Sequence, residues 1–256
     1  MVQMMTSLLW KSYHNKIYTY GIIIILMISL CFFQFQNQNF GKSNFWIWQL
    51  YLNSDLYTAI VGLPLLYSIG NYLISSFFFS SDLVIFRFKD KLRLFRNKLL
   101  IQFLFLVLFI LLVNVIAMLI SILSTKLNSN WTLDNIKGYS LAFSSRPYLK
   151  MPLLMQTTLT LFNFSSYLFF LLLFQFFLRL MFKAKSALVI VVMWIFLQSF
   201  FYKITNASSL LLFLPLSHYQ VVNVTNVMQN VIYWVVLNGF GIALNHYCSK
   251  RLNIFD

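Results

Sequence analysis

The sequence has 256 residues, of which 60% are hydrophobic and only 9% are charged, and its formal net charge is +14. A soluble domain usually carries about 25% charged residues and about 45–50% apolar ones, so this composition argues against a soluble fold and predicts an integral membrane protein. The basic excess does not indicate nucleic acid as a partner, because cytoplasmic loops of membrane proteins collect Lys and Arg.

The first segment, residues 2–16, is amphipathic. Leu9, Trp10 and Tyr13 recur at helical spacing beside Lys11 and Lys16, a pattern typical of a short helix that lies in the membrane interface. The apolar stretch that follows shows no small-residue cleavage site. We therefore expect it to stay in the membrane and not to be removed as a signal peptide.

Six apolar segments then follow along the chain. A spanning helix needs about 20 mostly apolar residues. The sequence predicts one all-α transmembrane domain over residues 1–256, with spans at about 17–35, 57–79, 99–123, 153–178, 186–202 and 227–247.

The basic residues between these spans predict their orientation. Segments on the side of the N-terminus hold 13 of the 19 Lys and Arg, and the opposite side holds 6. Because Lys and Arg collect in cytoplasmic loops, we expect both termini in the cytoplasm. Cys31 and Cys248 then lie near opposite membrane faces and do not pair with each other.

The cytoplasmic segment 83–98 joins spans two and three and is both basic and amphipathic. Phe88, Leu92, Phe95 and Leu99 fall on one helical stripe. A basic amphipathic helix suits two uses, namely lying on anionic lipid and docking onto a cytosolic partner. The candidate docking residues are Phe86, Arg87, Phe88, Lys89, Asp90, Lys91, Leu92, Arg93 and Phe95.

A second unusual segment precedes the last span on the outer side. Its apolar run from Leu210 to Leu216 is too short to cross a bilayer and is interrupted by Pro215. The pattern favours a re-entrant or interfacial helix buried against protein over an outer loop resting on lipid. The residues assigned to this segment are Leu210, Leu212, Phe213, Pro215 and His218.

The sequence carries no motif for chemistry of its own. It has no Glu, no glycine-rich phosphate loop, no HExxH and no GxSxG, and its three histidines lie in different segments. We expect neither a catalytic residue nor a metal or cofactor bound by this chain. It is not predicted to be an enzyme by itself.

The polar residues of the spans are neutral. Gln156, Thr160 and Asn163 share one face of span four. Such residues serve either as hydrogen bonds between helices or as the lining of a path for an amphipathic substrate. Without ionisable groups at mid-depth, a transporter must draw its energy from elsewhere. The candidate path residues are Asn71, Asn114, Gln156, Thr160, Asn163, Gln198 and Asn238.

The whole layout resembles the permease subunit of bacterial type-2 ABC exporters. The likeness rests on the interfacial helix, the six spans, the basic segment after span two and the broken apolar run before span six. Among these permeases the chain is similar to those of Gram-positive peptide exporters, which carry phenol-soluble modulins or bacteriocin-like peptides. In that family the segment after span two, here Phe86 to Phe95, is a coupling helix seated on the ATPase.

The resemblance implies a function and a set of partners. It implies an exporter permease in the cell membrane of a Gram-positive bacterium, with amphipathic or antimicrobial peptides as substrates. The partners would be a cytosolic ABC ATPase that binds ATP and Mg²⁺, and a second permease copy or sister subunit. The alternative is a membrane protein that binds a substrate, or confers self-immunity, without transport activity of its own.

Overall fold

The computed structural model describes residues 18–33, 56–79, 91–124, 153–204, 215–219 and 227–251. Apart from Phe182 and Lys183, the chain is helical in these ranges and has no strands there, which confirms the all-α class for this part of the protein. The interfacial helix predicted for residues 2–16 lies outside the described residues, as do residues 83–90 of the basic segment.

Every predicted span overlaps a described helix. The helices are α1 (Tyr18–Phe33), a π-helical turn (Leu56–Gly62) that leads into α2 (Leu63–Phe79), α3 (Lys91–Ser124), α4 (Leu153–Met181), α5 (Ala184–Ile204), α6 (Pro215–Tyr219) and α7 (Val227–Arg251). Helix α3 begins eight residues before span three, so the second half of the basic segment continues without a break into the apolar helix. Short helix α6 lies within the outer segment that precedes span six.

The π-helical turn before α2 has a cause in the sequence. Pro64 is the second residue of α2 and has no N–H to donate to the carbonyl four residues earlier, at Ile60. A proline ring also crowds that carbonyl in a regular α-helix. The wider π-helical turn, in which each N–H bonds five residues back, relieves the crowding. The apolar sequence thus stays helical across Pro64.

Three helices in the described ranges are long and apolar enough to cross a membrane, and they are Asn97–Ile120, Thr158–Met181 and Val227–Lys250. Three shorter apolar helices accompany them, at Tyr18–Phe33, Ile60–Ser75 and Ala184–Phe200. The total of six spans and the cytoplasmic position of both termini stay predictions.

Helix α4 lies at the centre of the fold and contacts α2, α3, α5, α6 and α7. Its Phe-rich sequence is apolar on nearly every side, which is the composition of a helix surrounded by protein. Phe164, Leu168, Leu171 and Leu172 are completely buried. By contrast α3 and α7 bury a single face each, and their large exposed side chains form apolar outer surfaces.

Side-chain contacts give the directions of the helices relative to α4. Helix α2 runs parallel to it, because Gln175 bonds to Ser68 and Arg179, one turn further, bonds to Tyr72. Helix α7 is also parallel, since its successive asparagines bond to successively later residues of α4.

Helices α3 and α5 run in the opposite direction. The ring of Phe103 contacts that of Phe169, while the earlier Lys98 interacts electrostatically with the later Arg179. In α5, Gln198 bonds to Tyr167 and the earlier Trp194 contacts the later Phe174. Successive helices from α2 through α5 therefore run in alternating directions, as expected when each helix returns the chain to the side where the previous helix began.

A glycine permits the close approach of α2 and α3. A Cβ atom added at Gly70 would lie 2.7 Å from Cζ of Phe105, whose ring stacks on buried Tyr67 at 5.7 Å. We expect Gly70→Ala to lower the free energy of unfolding in detergent by about 1 kcal/mol, because the ring must leave its stacked position. Gly239→Ala is the control, since a Cβ there meets nothing within 4 Å. The control should raise stability, as Ala is the better helix former. Equal effects of the two substitutions would contradict the close packing at Gly70.

Candidate functional site

One face of α7 is a row of three asparagines that donate hydrogen bonds to α4. Asn230 Nδ2 donates to Asn163 Oδ1 at 2.7 Å, and Asn238 Nδ2 donates to the Ser166 carbonyl at 3.3 Å. Asn245 Nδ2 donates to the Leu173 carbonyl at 3.0 Å. Their spacing of eight and seven residues equals about two helical turns each, which places all three amides on the same face.

The first asparagine belongs to a junction that holds α6 against the bundle. Asn163 Nδ2 donates to the carbonyl of Tyr219, the last residue of α6, at 3.1 Å. His218 Nδ1 lies 3.3 Å from Asn230 Oδ1, and its ring stacks on Tyr233 with centroids 3.6 Å apart. The amides thus satisfy polar groups at the end of a very short helix, where carbonyls lack partners within the helix.

A second polar junction ties α2 to the other half of α4. Asn71 Nδ2 donates to Gln175 Oε1 at 2.8 Å, and Gln175 Nε2 donates to the Ser68 carbonyl at 3.1 Å. Asn71 and Gln175 are both completely buried. One turn further, Arg179 donates to the Tyr72 carbonyl and lies over the Tyr72 ring, 5.3 Å from its centroid.

A lateral cleft lies between α3, α4 and α7. Its volume is about 370 Å³, within the range of small-molecule sites. Five apolar residues of α3, from Phe103 to Leu111, form one wall, and residues of α4 from Phe162 to Phe169 form the other. Val107 and Leu111 are 38% and 57% exposed, so the cleft opens toward the outside of the bundle.

The polar part of the cleft is small and lies at the middle of the helices. Ser165, Ser166 and Asn238 are its polar lining residues. The Asn238 side chain is buried, and its Oδ1 atom has no hydrogen-bond donor among the described residues. The oxygen is itself buried, and an acceptor without a donor in such surroundings costs about 1–3 kcal/mol.

The structure distributes the predicted path residues over several sites. Asn238 is the one that lines the cleft, while Asn71 and Asn163 belong to the two polar junctions. Gln198 accepts a hydrogen bond from Tyr167 at 3.2 Å, and Asn114 donates to the Ile110 carbonyl of its own helix at 2.8 Å. Thr160 is buried in α4, and the side chain of Gln156 lies outside the described residues.

The other predicted segments are described only in part. Lys91, Leu92, Arg93 and Phe95 belong to the first turns of α3, whereas residues 86–90 lie outside the described residues. In the outer segment Pro215 is buried and His218 contacts α7, while Leu210, Leu212 and Phe213 lie outside the described residues. Both assignments stay predictions.

Several polar residues of the junctions, of the α4–α7 contact and of the cleft were not singled out from the sequence. Gln175 lies inside a run of Phe and Leu, and nothing in that run distinguishes it from a lipid-facing residue. Asn230 and Asn245 did leave a signal, because they share the two-turn spacing of Asn238 along α7. Ser165 and Ser166 are common residues in apolar helices, and only their position opposite α3 marks them.

The charged residues of the described ranges are all basic. The five acidic residues all lie outside the described ranges, whereas Lys98 and Arg179 are partly buried within them. In the same ranges His, Cys, Asp and Glu form no group that could hold a metal ion. The arrangement offers neutral hydrogen-bond donors and acceptors near the middle of α4 and α7. Cations lie at one end of α3 and α4.

Comparison with protein-family models, with characterised proteins and with solved structures found no match to this chain.

Proposed function

We propose that this chain is the membrane-spanning permease subunit of an ATP-driven exporter of amphipathic peptides, working with a separate cytosolic ATPase. In this proposal the six predicted spans cross the cell membrane of a Gram-positive bacterium with both termini in the cytoplasm. A second copy or a sister subunit completes the pathway. ATP and Mg²⁺ are bound by the ATPase and not by this chain.

The observation that carries the proposal is the continuity of α3. Its 34 residues extend about 51 Å, well beyond the roughly 30 Å of a bilayer hydrocarbon core. The helix starts in the basic segment at Lys91 and later forms the apolar wall of the cleft from Phe103 to Leu111. A displacement of the basic end by a partner is therefore transmitted along one rigid helix to the cleft.

The charge at the start of α3 also favours an external partner. The first turn holds no acidic residue, while Lys91, Arg93, Arg96 and Lys98 lie within the first eight residues. Lys91 and Arg93 lie in the first turn, where a cation opposes the helix dipole at a cost of about 0.3–1 kcal/mol each. An acidic surface on a docking protein would remove this cost.

The test is reversal of charge at this helix start. We expect Lys91→Asp with Arg93→Asp to abolish co-purification of the ATPase from the native host, because the reversed charges repel the surface that the basic ones attract. The matched control is Lys183→Asp with Lys185→Asp, which changes the net charge equally at two exposed positions in and beside the α4–α5 connection.

The two results discriminate sharply. Loss of the ATPase with the first pair and retention with the control support docking through the start of α3. Retention of the ATPase with both pairs would make the docking assignment wrong. If the unaltered chain purifies without any ATPase under conditions that preserve transporter complexes, the exporter proposal itself is wrong.

One observation favours the second candidate, a protein that binds its substrate or confers immunity without transport. The cleft is formed by α3, α4 and α7 of a single chain and needs no second subunit. Such a protein would be a monomer in mild detergent and would protect cells whose neighbouring ATPase gene had been deleted. An oligomer that loses protection on that deletion would exclude it.

A further inference from the structure

The cleft between α3, α4 and α7 combines an apolar wall with one side-chain acceptor that lacks a donor among the described residues. Asn238 Oδ1 has no hydrogen-bond partner among the described residues, and the bond from Asn238 Nδ2 to Ser166 is long, at 3.3 Å. The Oδ1 atom is itself buried, so a ligand in the cleft reaches it only after the amide turns about its Cβ–Cγ bond, which breaks the long bond to Ser166. The site is therefore complementary to an apolar body that carries one N–H or O–H donor.

The depth of the acceptor identifies the kind of ligand. Asn238 lies at the middle of α7, and Ser166 lies near the middle of α4. If these helices cross a bilayer, the amide lies at the level of the lipid tails. Phospholipids place only hydrocarbon there, whereas every residue of a peptide except proline carries a backbone N–H. An N–H without an acceptor in hydrocarbon costs several kcal/mol.

We propose that this cleft is a mid-membrane binding site for an amphipathic peptide, which places one or two apolar side chains against α3 and donates an N–H or O–H group to Asn238 Oδ1. The free N–H groups at the start of a peptide helix are suitable donors. This inference rests on the proposed function for the direction of transport, but the binding itself needs no ATPase. It can therefore fail or hold independently of the exporter assignment.

The test uses the purified full-length chain in lipid nanodiscs. The probe is an amphipathic Leu–Lys peptide in which one Leu is replaced by photoactivatable leucine, and the labelled residues are mapped by mass spectrometry. We expect labels on α3 between Phe103 and Leu111 and on α4 between Phe162 and Phe169. A phosphatidylcholine with a photoactivatable acyl chain is the parallel probe for lipid.

Two variants examine the wall and the acceptor separately. Val107→Trp fills the cleft and should weaken peptide labelling about tenfold, whereas Val115→Trp, two turns further along the exposed face of α3, should leave it unchanged. Asn238→Leu should weaken labelling about fivefold, the change in affinity that one neutral hydrogen bond is worth. Because Val107→Trp touches no polar contact, it remains informative if Asn238→Leu folds poorly.

Each outcome is decisive. Peptide labels that concentrate in the cleft and fall with Val107→Trp but not with Val115→Trp support the site. Labels spread equally over the exposed face of α3, or unaffected by Val107→Trp, would overturn it. Lipid labelling of the cleft that excess peptide does not displace would assign the site to a bound lipid and would also overturn the proposal.

Discussion

Gln175→Leu should lower the free energy of unfolding by about 2–3 kcal/mol, because it removes the acceptor of the buried amide of Asn71. Hydrogen bonds between membrane helices average only about 0.6 kcal/mol where the groups find other partners. Among the described residues Asn71 Oδ1 already lacks a donor, so the loss of Gln175 Oε1 takes away the side-chain bond that its amide does make. The measurement is denaturation in mixed micelles of SDS and a mild detergent.

The double variant tests the physical reason for this loss. Leu has as many side-chain heavy atoms as Asn and is close to Gln in volume, and replacing both members of a buried polar pair with apolar residues leaves neither amide unsatisfied. We expect Asn71→Leu with Gln175→Leu to unfold within about 1 kcal/mol of the unaltered chain, so that the double-mutant cycle is strongly non-additive. Additive losses would show that the two amides do not depend on each other.

Asn163→Leu is expected to lower the free energy of unfolding by about 2–3 kcal/mol, since two polar partners lose their contact at once. Asn230 Nδ2 loses its acceptor, and the Tyr219 carbonyl loses the donor that joins α6 to α4. The contact of His218 with Asn230 remains, so α6 keeps one polar contact with the bundle. Denaturation in mixed micelles measures the loss of stability.

The control for Asn163→Leu is Ser29→Ala, in which the lost hydroxyl donates to a carbonyl of its own helix at an exposed position. A bond within one helix holds no two elements together, so the loss should be below about 0.5 kcal/mol. The tertiary role of Asn163 would be contradicted if the two variants unfolded at the same denaturant concentration.

Helix positions were largely predictable because each depends on a local property, the length of an apolar run. The run from Leu99 to Leu123 predicted a helix, and α3 extends over it. Even Pro64 did not break the second run, since a π-helical turn accommodates it. The extension of α3 back to Lys91 was less evident, because charged residues mark the end of a span but not the end of a helix.

The candidate site was predictable only in part, because it depends on contacts between residues far apart in the chain. Asn71 and Gln175 are separated by 104 residues, and no local pattern pairs them. From the sequence alone, the polar residues of the spans suit either helix–helix bonding or a substrate path. The structure gives Asn71 and Asn163 contacts between elements and places Asn238 in the cleft.

The sequence by itself determined the all-helical class, the positions of the apolar helices and the concentration of basic charge around the start of α3. These properties follow from composition and from the order of apolar and polar residues. Both are local properties of the chain and do not depend on which helices pack together. Only the tertiary structure decided that α4 is central, that the asparagines of α7 meet it, and that α3, α4 and α7 leave a cleft beside Asn238. A cleft is space that packing fails to fill, and it depends on which faces meet and at what distance. No single helix sequence contains that information.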